Sequence, residues 1–195
     1  MGTLTAAGKN LALNALAGTA PATPITHAAL FDSAAAQAPT GATPSTFTLT
    51  AHGLVNTDLV VFDSKTGGTG IRLGYAYFVI TSAASTFQLS ETSGGSAVDM
   101  LTTISASSIR KLVEITGGTP AYARKAIAFS AAVVGSMDDT TAPTFDVPAS
   151  TVDYCGFYSA LTVGTLLAVD DLTAETFAAQ GTFQLTDVDL DFNTP

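Results

Sequence analysis

Apolar and polar residues alternate along most of this chain with the period of two that marks a strand with one face buried. Phe47-Thr-Leu-Thr-Ala-His-Gly-Leu54 and Thr86-Phe-Gln-Leu-Ser90 show it, and so does Val188-Asp189-Leu190-Asp191-Phe192. Further short apolar runs predict strands at Ile25–Phe31, Asp58–Phe62, Tyr75–Thr81 and Ala97–Ile104. They continue at Ile109–Ile115, Tyr122–Phe129, Phe145–Val147, Val152–Tyr158, Thr165–Val169, Thr176–Phe177 and Phe183–Leu185. One segment has helical spacing instead. Over residues 5–17, Leu11, Ala12, Ala15 and Leu16 share a face, Thr5 stands as N-cap and Gly18 supplies the stop.

Strands every 8–12 residues, separated by turn signals, predict an all-β chain built on an antiparallel sandwich, jelly-roll-like, with a short N-terminal helix. Pro21 and Pro24 break the chain after that helix, and the Ala/Pro/Gly/Thr-rich stretch Ser33–Ser45 reads as a linker. The middle of the chain then reads as a cassette, a small β-barrel or sandwich of five strands over residues 46–108. Its expected host is a discontinuous domain made of residues 1–45 and 109–195.

The 195 residues suffice for one large β-domain or two small ones with cores of their own. Hydrophobic content is 47%, much of it alanine, yet no apolar run approaches the ~20 residues of a spanning helix, so no membrane partner is expected. The opening Met1-Gly-Thr-Leu-Thr has no basic flank or apolar region of a secretory signal, so synthesis without a leader is expected. Charged residues make up 12% and the formal net charge is −9. From Ala126 to Pro195 there are ten acidic residues and no lysine or arginine, which removes the phosphate contacts that nucleic-acid binding requires. Low charge with abundant Ala, Thr, Ser and Gly suits a surface covered by neighbouring subunits, although an isolated β-sandwich has the same look.

Candidate chemistry is sparse. Cys155, the single cysteine, lies in the apolar run Val152-Asp-Tyr-Cys-Gly-Phe-Tyr158 and reads as a buried structural thiol. Thr66-Gly-Gly-Thr-Gly70 superficially suggests a phosphate loop, but no Gly-Lys-Ser/Thr follows, and the reading is a hairpin or loop. Asp138-Asp139, Asp170-Asp171, Asp189 and Asp191 lack the spacing of a calcium loop and read as solvated turns and an exposed strand face. His27 and His52 stand far apart without a clustered carboxylate or cysteine, so no zinc site is expected. No catalytic set emerges, and no cofactor or metal is implied. Tyr75, Tyr77 and Phe78 are the aromatics that a sugar-binding reading would use, although strand alternation assigns Phe78 to the core.

The basic residues carry the sharper expectation. Arg110, Lys111, Arg124 and Lys125 supply four of the seven positive charges within sixteen residues. They read either as exposed strand faces or as a subunit interface that meets the acidic C-terminal half of a neighbour.

Several segments resemble a group of tailed-phage virion proteins, the minor tail proteins and capsid decoration proteins. The likeness opens with Thr5-Ala-Ala-Gly-Lys-Asn-Leu-Ala-Leu-Asn-Ala-Leu16 and Ile25-Thr-His-Ala-Ala-Leu-Phe31. It continues through Gly118-Thr-Pro-Ala-Tyr-Ala-Arg-Lys-Ala126, Thr144-Phe-Asp-Val-Pro-Ala149, Cys155-Gly-Phe-Tyr158 and Gly164-Thr-Leu-Leu-Ala168. The group more often has tryptophan where Tyr158 stands, a departure expected to alter packing rather than role. The cassette is similar to a small β-module of phage structural proteins, on Thr50-Ala-His-Gly-Leu54, Asp58–Phe62, Tyr75–Val79 and Ser85–Ser90. The resemblance carries over no functional residue. It implies a non-enzymatic virion component on the tail or capsid exterior, made in the bacterial host cytoplasm. Its implied partners are other virion proteins and copies of itself, a trimer by resemblance. A host-surface glycan is the implied ligand of the sugar-binding alternative.

Overall fold

The structure, a computed structural model, describes residues 3–17, 24–131, 136–186 and 188–191. The first part of the chain forms β1 (Thr3–Leu4), α1 (Ala6–Ala17) and β2 (His27–Ser33). Six strands follow: β3 (Thr40–Ala42), β4 (Thr46–Thr48), β5 (Leu59–Gly67), β6 (Tyr77–Ile80), β7 (Thr86–Ser90) and β8 (Ile104–Glu114). The remainder forms β9 (Lys125–Ala126), β10 (Ser136–Asp138), β11 (Thr144–Val147), β12 (Ser150–Tyr158), β13 (Leu166–Phe177), β14 (Gly181–Gln184) and β15 (Asp189–Asp191). The fold is all-β and antiparallel, with one short helix. Two compact units divide it, residues 1–32 with 114–195, and residues 33–113.

In the discontinuous unit, β12 is the centre of a sheet ordered β1-β13-β12-β2, with β9 on β2. Cys155 lies between Leu30 and Asp170, and Phe157 between Ala28 and Ala168. Val152 and Cys155 are an odd number of residues apart, yet both are fully buried. Both faces of β12 are covered from Cys155 to Tyr158, and its register with β13 is irregular just before, where Val152 lies opposite Glu175 and Tyr154 opposite Asp171. Two ribbons, β11–β14 and β10–β15, add Phe145, Val147 and Leu190 to the same core as Leu30, Phe157 and Ala168. This gives the unit the two facing layers of a sandwich.

The helix is anchored by one hydroxyl. Thr5 Oγ1 donates to the carbonyls of Leu166 (2.8 Å) and Leu167 (3.0 Å) and accepts the Gly8 N–H at 3.3 Å. The Thr5 N–H also donates to Leu167 O at 2.8 Å. Thr5 is therefore both the cap that the sequence predicts and the tie of α1 to β13; Gly18 lies outside the described residues. Thr5→Ala is expected to cost about 1 kcal/mol and to lower the melting midpoint by roughly 2–4 °C, measured by calorimetry.

The second unit is a closed barrel. Its strands run β8-β3-β4-β7-β6-β5, and β5 pairs again with β8 from Leu59↔Leu112 to Gly67↔Ile104. Inside are Phe47, Phe62, Tyr77, Phe87, Leu89 and Ile109. The stretch expected as a linker over 33–45 belongs to this barrel. Gly41 of β3 pairs with Ile104, Gln37 bridges Ile109, and Ser107 Oγ donates to Pro39 O at 2.6 Å. Ala97–Ile104 is not a strand, because residues 91–103 form a loop and β8 begins at Ile104. The barrel thus has six strands rather than five, and its boundary falls at Val113 rather than at residue 108. β8 closes the barrel by pairing with β5 from Ile104 to Leu112, while its other edge meets Gly41 and Gln37.

Strand direction fixes which loops share a barrel end. The Ala34 N–H donates to Lys111 O at 2.9 Å, so the chain enters and leaves this unit at one end. Residues 49–58 and 81–85 connect strands at that end, and residues 43–45, 68–76 and 91–103 at the other. In the discontinuous unit the Ile115 N–H donates to Leu30 O at 3.0 Å, which sets its two interrupted ends side by side as well.

Candidate functional site

Each of the four basic residues singled out as an interface has an acidic partner in its own unit. Arg110 Nε meets Asp63 Oδ2 at 2.8 Å, and Lys111 Nζ meets Asp58 Oδ2 at 2.9 Å. Lys125 Nζ lies 3.7 Å from Asp146 Oδ2. Arg124 is the best held. Its Nε and Nη2 form a fork on Glu114, at 2.8 and 2.7 Å, and its guanidinium lies 3.4 Å above the Tyr158 ring. The hydrogen bonds to Glu114 raise the Arg124 pKa further above its ordinary value. All four thus have an acidic partner within this chain. Arg110 and Lys111 belong to the barrel unit, whereas Arg124 and Lys125 belong to the discontinuous one.

Charge divides unevenly between the units. The barrel unit holds four acids, Asp58, Asp63, Glu91 and Asp99, and four bases, Lys65, Arg72, Arg110 and Lys111, so it is neutral. The full net charge of −9 falls on the discontinuous unit.

The three aromatics of the sugar-binding reading sit differently from expectation. Tyr75 (1% exposed) and Tyr77 (0%) are in the barrel core, with ring centroids 4.8 Å apart, and Phe78 is the half-buried one. The alternation is real, but its phase places the tyrosines inside. Burial, reinforced by the Glu91 carboxylate, pushes the Tyr75 phenol up to about 12. Two of the three rings therefore have no open face for a sugar.

The remaining candidates have structural surroundings. In the Thr66–Gly70 segment β5 runs on through Gly67, and Gly67, Gly68 and Gly70 all have positive φ. A Cβ on any of them would collide with Thr103, Ile104 or Asp99. These glycines let the barrel turn close against the loop before β8. His52 is buried; its Nδ1 accepts the Leu54 N–H at 3.0 Å and its Nε2 meets the Ala83 carbonyl at 2.8 Å. His27 Nδ1 bonds the Thr26 hydroxyl at 2.8 Å. Asp139 Oδ1 accepts the Val188 N–H at 2.8 Å, and Asp138 lies opposite Asp189 in the β10–β15 ribbon. Among the described residues, no three His, Cys, Asp or Glu side chains are placed to hold a metal ion. Cys155 is fully buried, and burial, reinforced by the Asp170 carboxylate, pushes its thiol well above the ordinary range. A thiol in that state is a poor nucleophile.

Sequence reasoning missed one charged cluster. Arg72 pairs with Glu91, lies 3.7 Å above the Tyr75 ring, and donates its N–H to Tyr77 Oη at 2.9 Å. Nothing local in the sequence links residues nineteen positions apart across a turn and two strands. Comparison with known protein families, with curated proteins and with solved structures finds no match to this chain.

Proposed function

We propose that this chain is a non-enzymatic structural component of a tailed-phage virion, a minor tail protein that assembles with other virion proteins and with copies of itself. The reading rests on the segments that resemble minor tail and decoration proteins, and on where those segments lie. Ile25–Phe31 covers most of β2, Thr144–Ala149 holds β11, and Cys155–Tyr158 is the C-terminal part of β12. Gly164–Ala168 opens β13, and Gly118–Ala126 leads into β9. The likeness therefore follows the strands and turns of the discontinuous unit rather than a pocket or a reactive group. A protein of this kind works through area and shape, with a stable interface burying about 1,200–2,000 Å² in total.

The test is co-sedimentation of the purified chain with phage tails and with capsids, both stripped of it. Binding to tails alone supports the proposal. Binding to capsids alone moves the protein to the head as a decoration protein, and binding to neither removes the virion reading.

A further inference from the structure

Two large apolar side chains stand out from the barrel end opposite its chain connections, Leu101 (76% exposed) and Leu73 (51%). A lone exposed leucine is ordinary. Here the backbone that carries them is fixed. The Leu101 N–H donates to Thr69 O at 2.9 Å, and the Thr69 N–H donates to Thr102 Oγ1 at 3.0 Å. Gly67, Gly68 and Gly70 hold the same loops close together. A partner that docks here orders little that is not already ordered, which removes much of the entropic cost of association.

The charges at this end favour one partner. Arg72 and Glu91 form an ion pair whose side chains remain 35% and 38% exposed. A positive and a negative group side by side make a patch complementary to itself about a two-fold axis, since Arg72 of one copy then faces Glu91 of the next and the reverse. The barrel unit is neutral, so a contact through it brings together surfaces without a like-charge excess, whereas a contact through the discontinuous unit brings together two units of −9 each.

We infer that this barrel end is a self-association surface on which a second copy of the chain docks about a two-fold axis. Leu73 and Leu101 form its apolar centre, and Arg72 and Glu91 its charged rim. The inference stands on this end of the barrel and does not depend on the virion reading. An end-on contact is small beside a standard interface, so the association is expected to be weak in free solution.

Sedimentation equilibrium of the full chain over a concentration series from micromolar to millimolar provides the test. The mass is expected to rise with concentration. Leu101→Asp is expected to weaken that rise at least about tenfold, because a desolvated leucine side chain is replaced by a charge. Arg72→Glu and Glu91→Arg should each weaken self-association, and an equimolar mixture of the two should restore it. The mixture separates an intermolecular pairing from the pair within one chain. A mass independent of concentration, or a concentration dependence untouched by Leu101→Asp, overturns the proposal. A mixture that associates no better than its components overturns the two-fold arrangement. Leu101 is exposed, so a melting curve unchanged by Leu101→Asp shows that the loss is one of association and not of folding.

Discussion

Phe87→Ala is expected to destabilise the barrel unit by about 4 kcal/mol and to lower its melting midpoint by more than about 10 °C. Phe87 is fully buried and lies directly across from Phe47, with ring centroids 5.3 Å apart and planes 12° from parallel. Phe47 in turn packs on Phe62 at 5.8 Å, and the His52 ring meets Phe87 edge-on at 5.1 Å. Truncation would open a cavity beside the Phe47 and His52 rings that strands paired on both edges cannot collapse to fill. It would also remove the lateral support of His52, whose two nitrogens tie the loop at Leu54 to the loop at Ala83. Hydrogen exchange read by mass spectrometry, peptide by peptide, is the measurement. Faster exchange should appear first in peptides from residues 33–113. Protection unchanged across those peptides would mean that the ring stack is not what holds the barrel closed.

Alkaline pH is expected to produce the second large effect. Four of the five tyrosines, Tyr75, Tyr77, Tyr122 and Tyr158, have phenols raised above their ordinary value, in each case chiefly by burial. Tyr75 and Tyr158 are pushed up to about 12, and Tyr122 still further. At Tyr158 the Glu114 carboxylate adds to burial while Arg124 opposes it. In an unfolded chain these phenols ionise near 10. The fold therefore favours the neutral rings. Their contribution is complete below about pH 10 and is lost as pH rises through the folded values. For Tyr158 alone, two pKa units correspond to roughly 2.7 kcal/mol. Stability in urea should hold level to about pH 10 and fall steeply beyond it. Phenolate absorbance should rise together with unfolding rather than before it. Absorbance that develops fully at pH 10 while the fold persists would show the rings to be open to water.

How far the sequence revealed this depended on how local each signal was. Thr86–Ser90 was legible to the residue because its alternation spans the whole of β7. The helix was legible because Thr5 caps it with its own hydroxyl, at 3.3 Å from the Gly8 N–H. β3 was hidden because Thr40-Gly-Ala42 has turn composition and is a strand only through its partners β4 and β8. Tyr122–Phe129 read as one long strand, yet only Lys125–Ala126 forms a strand and Phe129 makes a single bridge to Asp139, while the Tyr122 hydroxyl accepts the Leu30 N–H at 2.7 Å. Thr165–Val169 and Thr176–Phe177 read as two strands and are one, β13, with its register slipped opposite Val152 and Tyr154. The final strand was expected over Val188–Phe192; β15 covers Asp189–Asp191, and Phe192 lies outside the described residues. The basic residues illustrate the limit. Sixteen residues of sequence suggested one band, whereas Arg110 and Lys111 find Asp63 and Asp58 far back in the chain. Ion-pair partners supplied by distant strands leave no trace in a local pattern.

The paired ends of the two units bear on how the chain folds. If residues 33–113 were still a random coil, they would be a loop of about eighty residues that the discontinuous unit must close before Leu30 and Ile115 can bond. Once the barrel has formed, with Ala34 already beside Lys111, the same gap behaves as a connection of a few residues. By the logarithmic dependence of closure entropy on length, the difference is roughly 2.5 kcal/mol. The barrel thus acts as a clasp. A lesion confined to it, such as Phe87→Ala, lengthens the loop its host must close and reaches strands that it never touches.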